Sequence, residues 1–160
     1  MKKELNILRL ILVVSVVLVV IVSLFVFFAL NNRVEYNELV SVSITRSNAF
    51  ARVDFTYTLS LENGVWIATY SDTFFEEPDE LVVDDAFANE IKKLLKENRV
   101  HKWDGFDVER EYIYDASSIY FSMRFSDGKE IKAHGYAASP RNFSDVFSGF
   151  EKRYEPLFAE

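Results

Sequence analysis

The chain has 160 residues, 49% of them hydrophobic and 16% aromatic, with 25 Asp and Glu against 18 Lys and Arg and no cysteine. One folded domain fits that length, and the apolar content excludes a disordered chain. The lack of cysteine removes disulfides, thiolate zinc sites and a lipid-modified cysteine, and a net charge of −7 speaks against partners with phosphate backbones or anionic headgroups.

The first predicted element is LILVVSVVLVVIVSLFVFFAL, Leu10 to Leu30, which carries no charge and only Ser15 and Ser23 as polar interruptions. As a helix it would measure roughly 31 Å, the thickness of a hydrocarbon core. Lys2, Lys3 and Arg9 precede it, opposed only by Glu4, which by the positive-inside bias predicts a cytoplasmic N-terminus. A cleaved signal peptide fits less well, because the run is long and ends FFALNN without a small-x-small site. The expectation is a single-pass signal anchor in the cell membrane: residues 1–9 cytoplasmic, 10–30 transmembrane, 31–39 a linker, and 40–158 an extracytoplasmic domain.

Within that domain Val40 to Arg46 alternates as a half-buried strand does. The alternation is cleaner at Val53, Phe55, Tyr57, Leu59 and Leu61, with Asp54, Thr56, Thr58, Ser60 and Glu62 on the other face. Asn63-Gly64 then supplies the two positive-φ residues of a type I′ turn, and Val65 to Tyr70 returns as the partner strand. Phe74 to Glu80, FFEEPDE, lacks the alternating ligands and turn glycine of a calcium loop and reads as a solvated loop. Asp84 is the expected N-cap of a helix with Phe87, Ile91, Leu94 and Leu95 on one stripe; Lys92, Lys93, Lys96 and Arg99 near its end suit its dipole.

Asp104-Gly105 in HKWDGF is turn chemistry between two aromatics that plug an edge of the core. Asp107, Glu109 and Glu111 in DVEREYIYD read as a solvated edge or loop rather than a carboxylate pair in a cleft. Ile119, Phe121, Met123 and Phe125 mark a strand, Asp127-Gly128 reverses it, and Lys129 to Ala137 runs back. Ser139-Pro140 predicts the start of a last helix, with Phe143, Val146, Phe147, Phe150 and Tyr154 on its apolar stripe and Pro156 at its end. The expected fold is therefore α+β: after the transmembrane helix, an antiparallel sheet of about five strands with two helices on one face, in the order β-β-β-α-β-β-α.

FSDGKEIKAHGYAASPRNF holds the residues most open to a chemical reading. Asp127, Gly128, Ser139 and Pro140 have sufficient roles in a turn and a cap, and Gly135 fits a close backbone approach. His134 and Tyr136 fall opposite Ile131 and Ala133 if the strand alternates. A triad from His101, Asp104, His134 and Ser139 lacks a nucleophile motif, and two histidines alone are a poor metal site, so no catalytic residue, metal or cofactor is expected.

WDGF at Trp103 to Phe106, followed by SSIYFSMRFSDGKEIKAHGY and SPRNF, resembles the C-terminal half of uncharacterised domain families in surface and lipid-anchored proteins of Gram-positive and related bacteria. ITRSNAF is similar to a segment that carries a cysteine-containing turn in such families; Asn48-Ala49-Phe50 stands there instead, so no role of that cysteine transfers. The resemblance implies an extracytoplasmic module without a named reaction. The resulting expectation is a noncatalytic binding or interaction module for an envelope protein or a cell-wall component, using Tyr120, Arg124, His134 and Tyr136. The alternative is a small cell-envelope hydrolase using His134 with Ser139 or a nearby carboxylate.

Overall fold

The computed structural model describes residues 13–24, 34–48, 53–72, 77–110 and 116–159. The chain divides into two compact units, Met1–Val34 and Glu35–Glu160.

In the first unit residues 13–24 form helix α1, whose side chains are all exposed. Among the described residues no helix is long and apolar enough to cross a membrane. This corrects the expected single-pass signal anchor over 10–30, and with it the cell-membrane location, the cytoplasmic N-terminus and the extracytoplasmic placement of the domain. Residues 10–12 and 25–30 of that apolar run lie outside the described residues.

The second unit is built on strands β1 (Leu39–Asn48), β2 (Val53–Glu62), β3 (Val65–Ser71), β4 (Asp79–Val83), β5 (Phe106–Glu109), β6 (Ser118–Phe125) and β7 (Glu130–Tyr136), with helices α2 (Asp85–Glu97) and α3 (Phe143–Phe158). They form one sheet in the order β4-β3-β2-β1-β6-β7-β5. Every neighbouring pair is antiparallel except β5 with β7, which is parallel. The expected antiparallel sheet of about five strands is thus a mixed sheet of seven. The two additional strands are the edges: β4 falls partly in the stretch read as a solvated loop, and β5 in the one read as a solvated edge or loop. Both are short and carry acidic residues, as edges that resist pairing with other chains do, and those features weaken the alternation that marks a strand.

Alternation sorts the side chains of the sheet into two surfaces. Val42, Ile44, Leu59, Ala68, Phe121, Met123, Ile131 and Ala133 are buried on one face. A bulge between Leu39 and Ser41 lets both Leu39 and Val42 point inward despite their odd spacing. Helix α3 lies against this face through Phe147, Phe150 and Tyr154, whose rings are 5.4, 6.4 and 5.1 Å from that of Tyr57. Helix α2 adds the Lys92 ammonium over the Trp66 ring at 4.8 Å and Phe87 against Tyr154.

The local signals act as their chemistry requires. Asp84 caps α2 by accepting from the Phe87 N–H at 2.9 Å, and Asn63 and Gly64 take φ of 51° and 83° in the β2–β3 turn. Helix α3 departs from expectation at both ends. It starts at Phe143, with Asn142 as an N-cap at φ 64° that makes no side-chain cap bond, and it continues through Pro156 to Phe158. Ser139-Pro140 instead precedes a tight turn in which the Phe143 N–H bonds to the Pro140 carbonyl. Trp103 plugs the core between Phe121 and Phe143, and its indole N–H donates to the Arg141 carbonyl at 3.0 Å.

Candidate functional site

The second face of the sheet carries neither helix. Its register places Ser71, Thr56, Thr45, Tyr120, His134 and Asp107 side by side across six strands. The next row holds Glu80, Thr69, Thr58, Ser43, Ser122 and Lys132, and the one beyond it Val82, Ile67, Ser60, Ser41, Arg124 and Glu130. Short hydroxyl side chains thus tile the centre. They also bond to one another: the Thr45 and Thr56 hydroxyls lie 3.0 Å apart, and Thr58 donates to Ser43 at 3.1 Å. Such bonds hold the hydroxyl oxygens in fixed positions while leaving each with further acceptor capacity.

At one side of this tiling stands an aromatic plate. Tyr120 is 52% exposed, and its ring stacks on that of His134 with centroids 4.7 Å apart and planes at 25°. Asp107, on β5, lies opposite His134 through the parallel β5–β7 pairing, with its Oδ1 3.1 Å from His134 Nδ1. A carboxylate accepts only, so Nδ1 is the donor in this contact. The His134 side chain is 29% exposed and that of Asp107 78%, so solvent screens the pair and it orients the ring more than it stabilises the fold. The plate borders a shallow depression of about 560 Å³ whose lining includes Ser43, Thr45, Ser122, Lys132 and Asp104. Lys132 pairs with Glu130, and that ion pair holds the Glu130 carboxyl below its usual range, through the hydrogen bond first and the charge second.

Of the four expected binding residues, Tyr120 and His134 are brought into contact. Arg124 lies on the same face four residues along β6, roughly 13 Å away. Tyr136 lies two residues along β7 on that face, opposite Ser118 and Glu109. Strict alternation on β6 and β7 was enough to place all four on one face. The contact of Asp107 with His134 was not readable, because nothing in the sequence announces a parallel pairing between β5 and β7.

The other chemical candidates are dispersed. Ser139 lines a separate depression with Arg46 and Arg110. His101 sits with Tyr36, whose hydroxyl is 3.0 Å from its Nδ1 and accepts from its backbone N–H at 3.2 Å. Burial, and then the charges of Lys102, Lys129 and Arg99, lower the pKa of His101 from 6.5. Asp104 does share the depression with His134. Among the described residues no group of three or more histidines and carboxylates is placed to hold a metal. No protein-family model and no curated protein matches the chain.

Proposed function

We propose that the Glu35–Glu160 unit is a noncatalytic binding module that takes a neutral, hydroxyl-rich ligand, a glycan strand, on the open face of its sheet. The observation that carries this reading is the Tyr120–His134 plate set at the end of a row of hydroxyls. A sugar ring offers one face of C–H groups, which suits an exposed aromatic surface, and a rim of hydroxyls, which suits fixed donors and acceptors. A protein partner is less well served, since the face lacks the apolar centre that anchors protein interfaces. A polyanion is disfavoured by Asp104, Asp107 and Glu109 around the plate.

The test is affinity electrophoresis of the full chain through gels containing soluble neutral polysaccharides. Retardation by one of them, lost in Tyr120→Ala, supports the reading. Retardation that is the same in Tyr120→Ala overturns the assignment of the face.

A small hydrolase is the second reading, and the His134–Asp107 contact is the observation in its favour, because an imidazole held by a carboxylate is poised as a general base. Ser139 lies in a different depression, so water would be the nucleophile that His134 activates. Reducing ends released from the retarding polysaccharide, and abolished in His134→Ala, would favour the hydrolase; binding without release favours the module.

A further inference from the structure

A second cleft lies on the helix-covered side of the sheet. Tyr57 and Tyr70, paired across β2 and β3, and Tyr154 and Phe158, on the last turns of α3, wall a space of about 320 Å³. That is at the lower end of the size range of small-molecule sites. The walls are aromatic surfaces fixed against each other: Tyr57 stacks on Tyr70 at 5.3 Å, Tyr70 meets Phe158 at 5.9 Å, and Phe158 stacks on Tyr154 at 6.1 Å. Tyr154 is anchored by a hydrogen bond from its hydroxyl to the Thr58 carbonyl at 2.6 Å.

The charge of the cleft has one sign. Glu151 and Glu155, one turn apart on α3, line it, and among the described residues no lysine or arginine does. The C-terminal end of α3 adds the negative end of its dipole. The titration of the two tyrosines is consistent with this. Burial raises Tyr57 first, and the charged groups that then act on it, Glu151, Glu155 and Asp72, raise it further. Tyr70 is raised by burial and then by Asp72, Glu151 and Asp79. Tyr57 itself is 5% exposed.

Aromatic faces with a carboxylate rim select among cations. A small inorganic ion holds its water tightly and needs several oxygen ligands, whereas an alkylated ammonium sheds water easily and is attracted to ring faces. We propose that this cleft binds an alkylammonium cation of the choline class, as a site distinct from the open face of the sheet.

The test is isothermal titration of the full chain with choline, with phosphocholine and with 3,3-dimethylbutan-1-ol, the uncharged isostere of choline. Choline binds saturably and the isostere roughly tenfold or more weaker, because only the charged form gains the ring and carboxylate attraction. The double variant Glu151→Gln/Glu155→Gln, at two exposed positions where folding is not at stake, weakens choline by roughly tenfold and leaves the isostere unchanged. Tyr70→Leu, which keeps apolar volume and removes a ring face, also weakens choline selectively. Phosphocholine binding as tightly as choline identifies a headgroup-borne ammonium, and weaker binding identifies the free cation. Equal binding of choline and its isostere, choline binding unchanged in the double variant, or no saturable choline binding overturns the proposal.

Discussion

The two faces of the sheet use the same seven strands and the same alternation, yet they carry opposite chemistry. On the covered face the side chains are large and apolar, interlocked with α2 and α3, and Ile44, Leu59 and Ala68 are fully buried. On the open face the residues between them are chiefly serine and threonine, with charged groups toward the β7 and β5 side. Because a shift by one residue would exchange the two faces, burial of the first fixes the register of the second. The covered face therefore supplies the stability, and the open face is free to present a fixed array of polar groups. Most of the ways to test that division are substitutions whose costs are expected to differ by face.

The largest effect belongs to the covered face. Phe150 is fully buried on α3, so Phe150→Ala is expected to cost about 3–5 kcal/mol, read as a fall in the urea midpoint. A cost under 1 kcal/mol would mean that α3 is not part of a packed core. Next is Gly135→Ala on β7. A Cβ there would stand 2.3 Å from the Ala138 carbonyl oxygen and 3.1 Å from Phe106; backbone has to move, at a cost of about 2–3 kcal/mol. Gly149→Ala serves as its control, since the nearest atoms to the added Cβ are side chain and not backbone, the two methyls of Leu94 at 2.7 Å and its Cγ at 3.3 Å, and it should cost less.

Tyr154→Phe removes one hydrogen bond to the Thr58 carbonyl and leaves the ring in place, for about 1 kcal/mol. A loss several times larger would show that the hydroxyl holds more than that carbonyl.

The pH dependence at His101 should be modest. Its folded pKa is lowered from 6.5, so the unfolded chain takes up a proton before the folded one does. Its contribution is complete above pH 6.5 and is lost as the pH falls from there through the lower folded value. Stability of His101→Gln, followed over that interval against the parent chain, should decline less; parallel curves would remove His101 as a contributor.

The smallest effect is Ser43→Ala at the centre of the open face, expected within about 0.5 kcal/mol. A cost approaching that of Phe150→Ala would erase the distinction between the two faces.

How much of this was legible in the sequence follows the same division. Elements that announce themselves through local chemistry were readable: Asp84 at the start of α2, Asn63-Gly64 and Asp127-Gly128 between paired strands, and the alternation that puts Tyr120 and His134 on one face. Features that depend on contacts distant in sequence were not. The edge strands β4 and β5 owe their state to their neighbours β3 and β7, and Asp107 reaches His134 only because β5 joins the sheet in parallel. Ser139-Pro140 carried a sound helix-start signal, but the chain spends it on a turn and begins α3 at Phe143.

The central claim is that Tyr120 and the hydroxyl rows beside it form the binding surface. The most direct measurement is the retardation of three chains, the parent, Tyr120→Ala and Tyr70→Ala, in gels containing a soluble neutral polysaccharide that slows the parent. The account predicts that Tyr120→Ala weakens binding at least roughly tenfold, while Tyr70→Ala, altered only in the cleft beneath the sheet, is retarded as the parent is. Equal retardation of the parent and Tyr120→Ala, or loss of retardation in Tyr70→Ala alone, would contradict it.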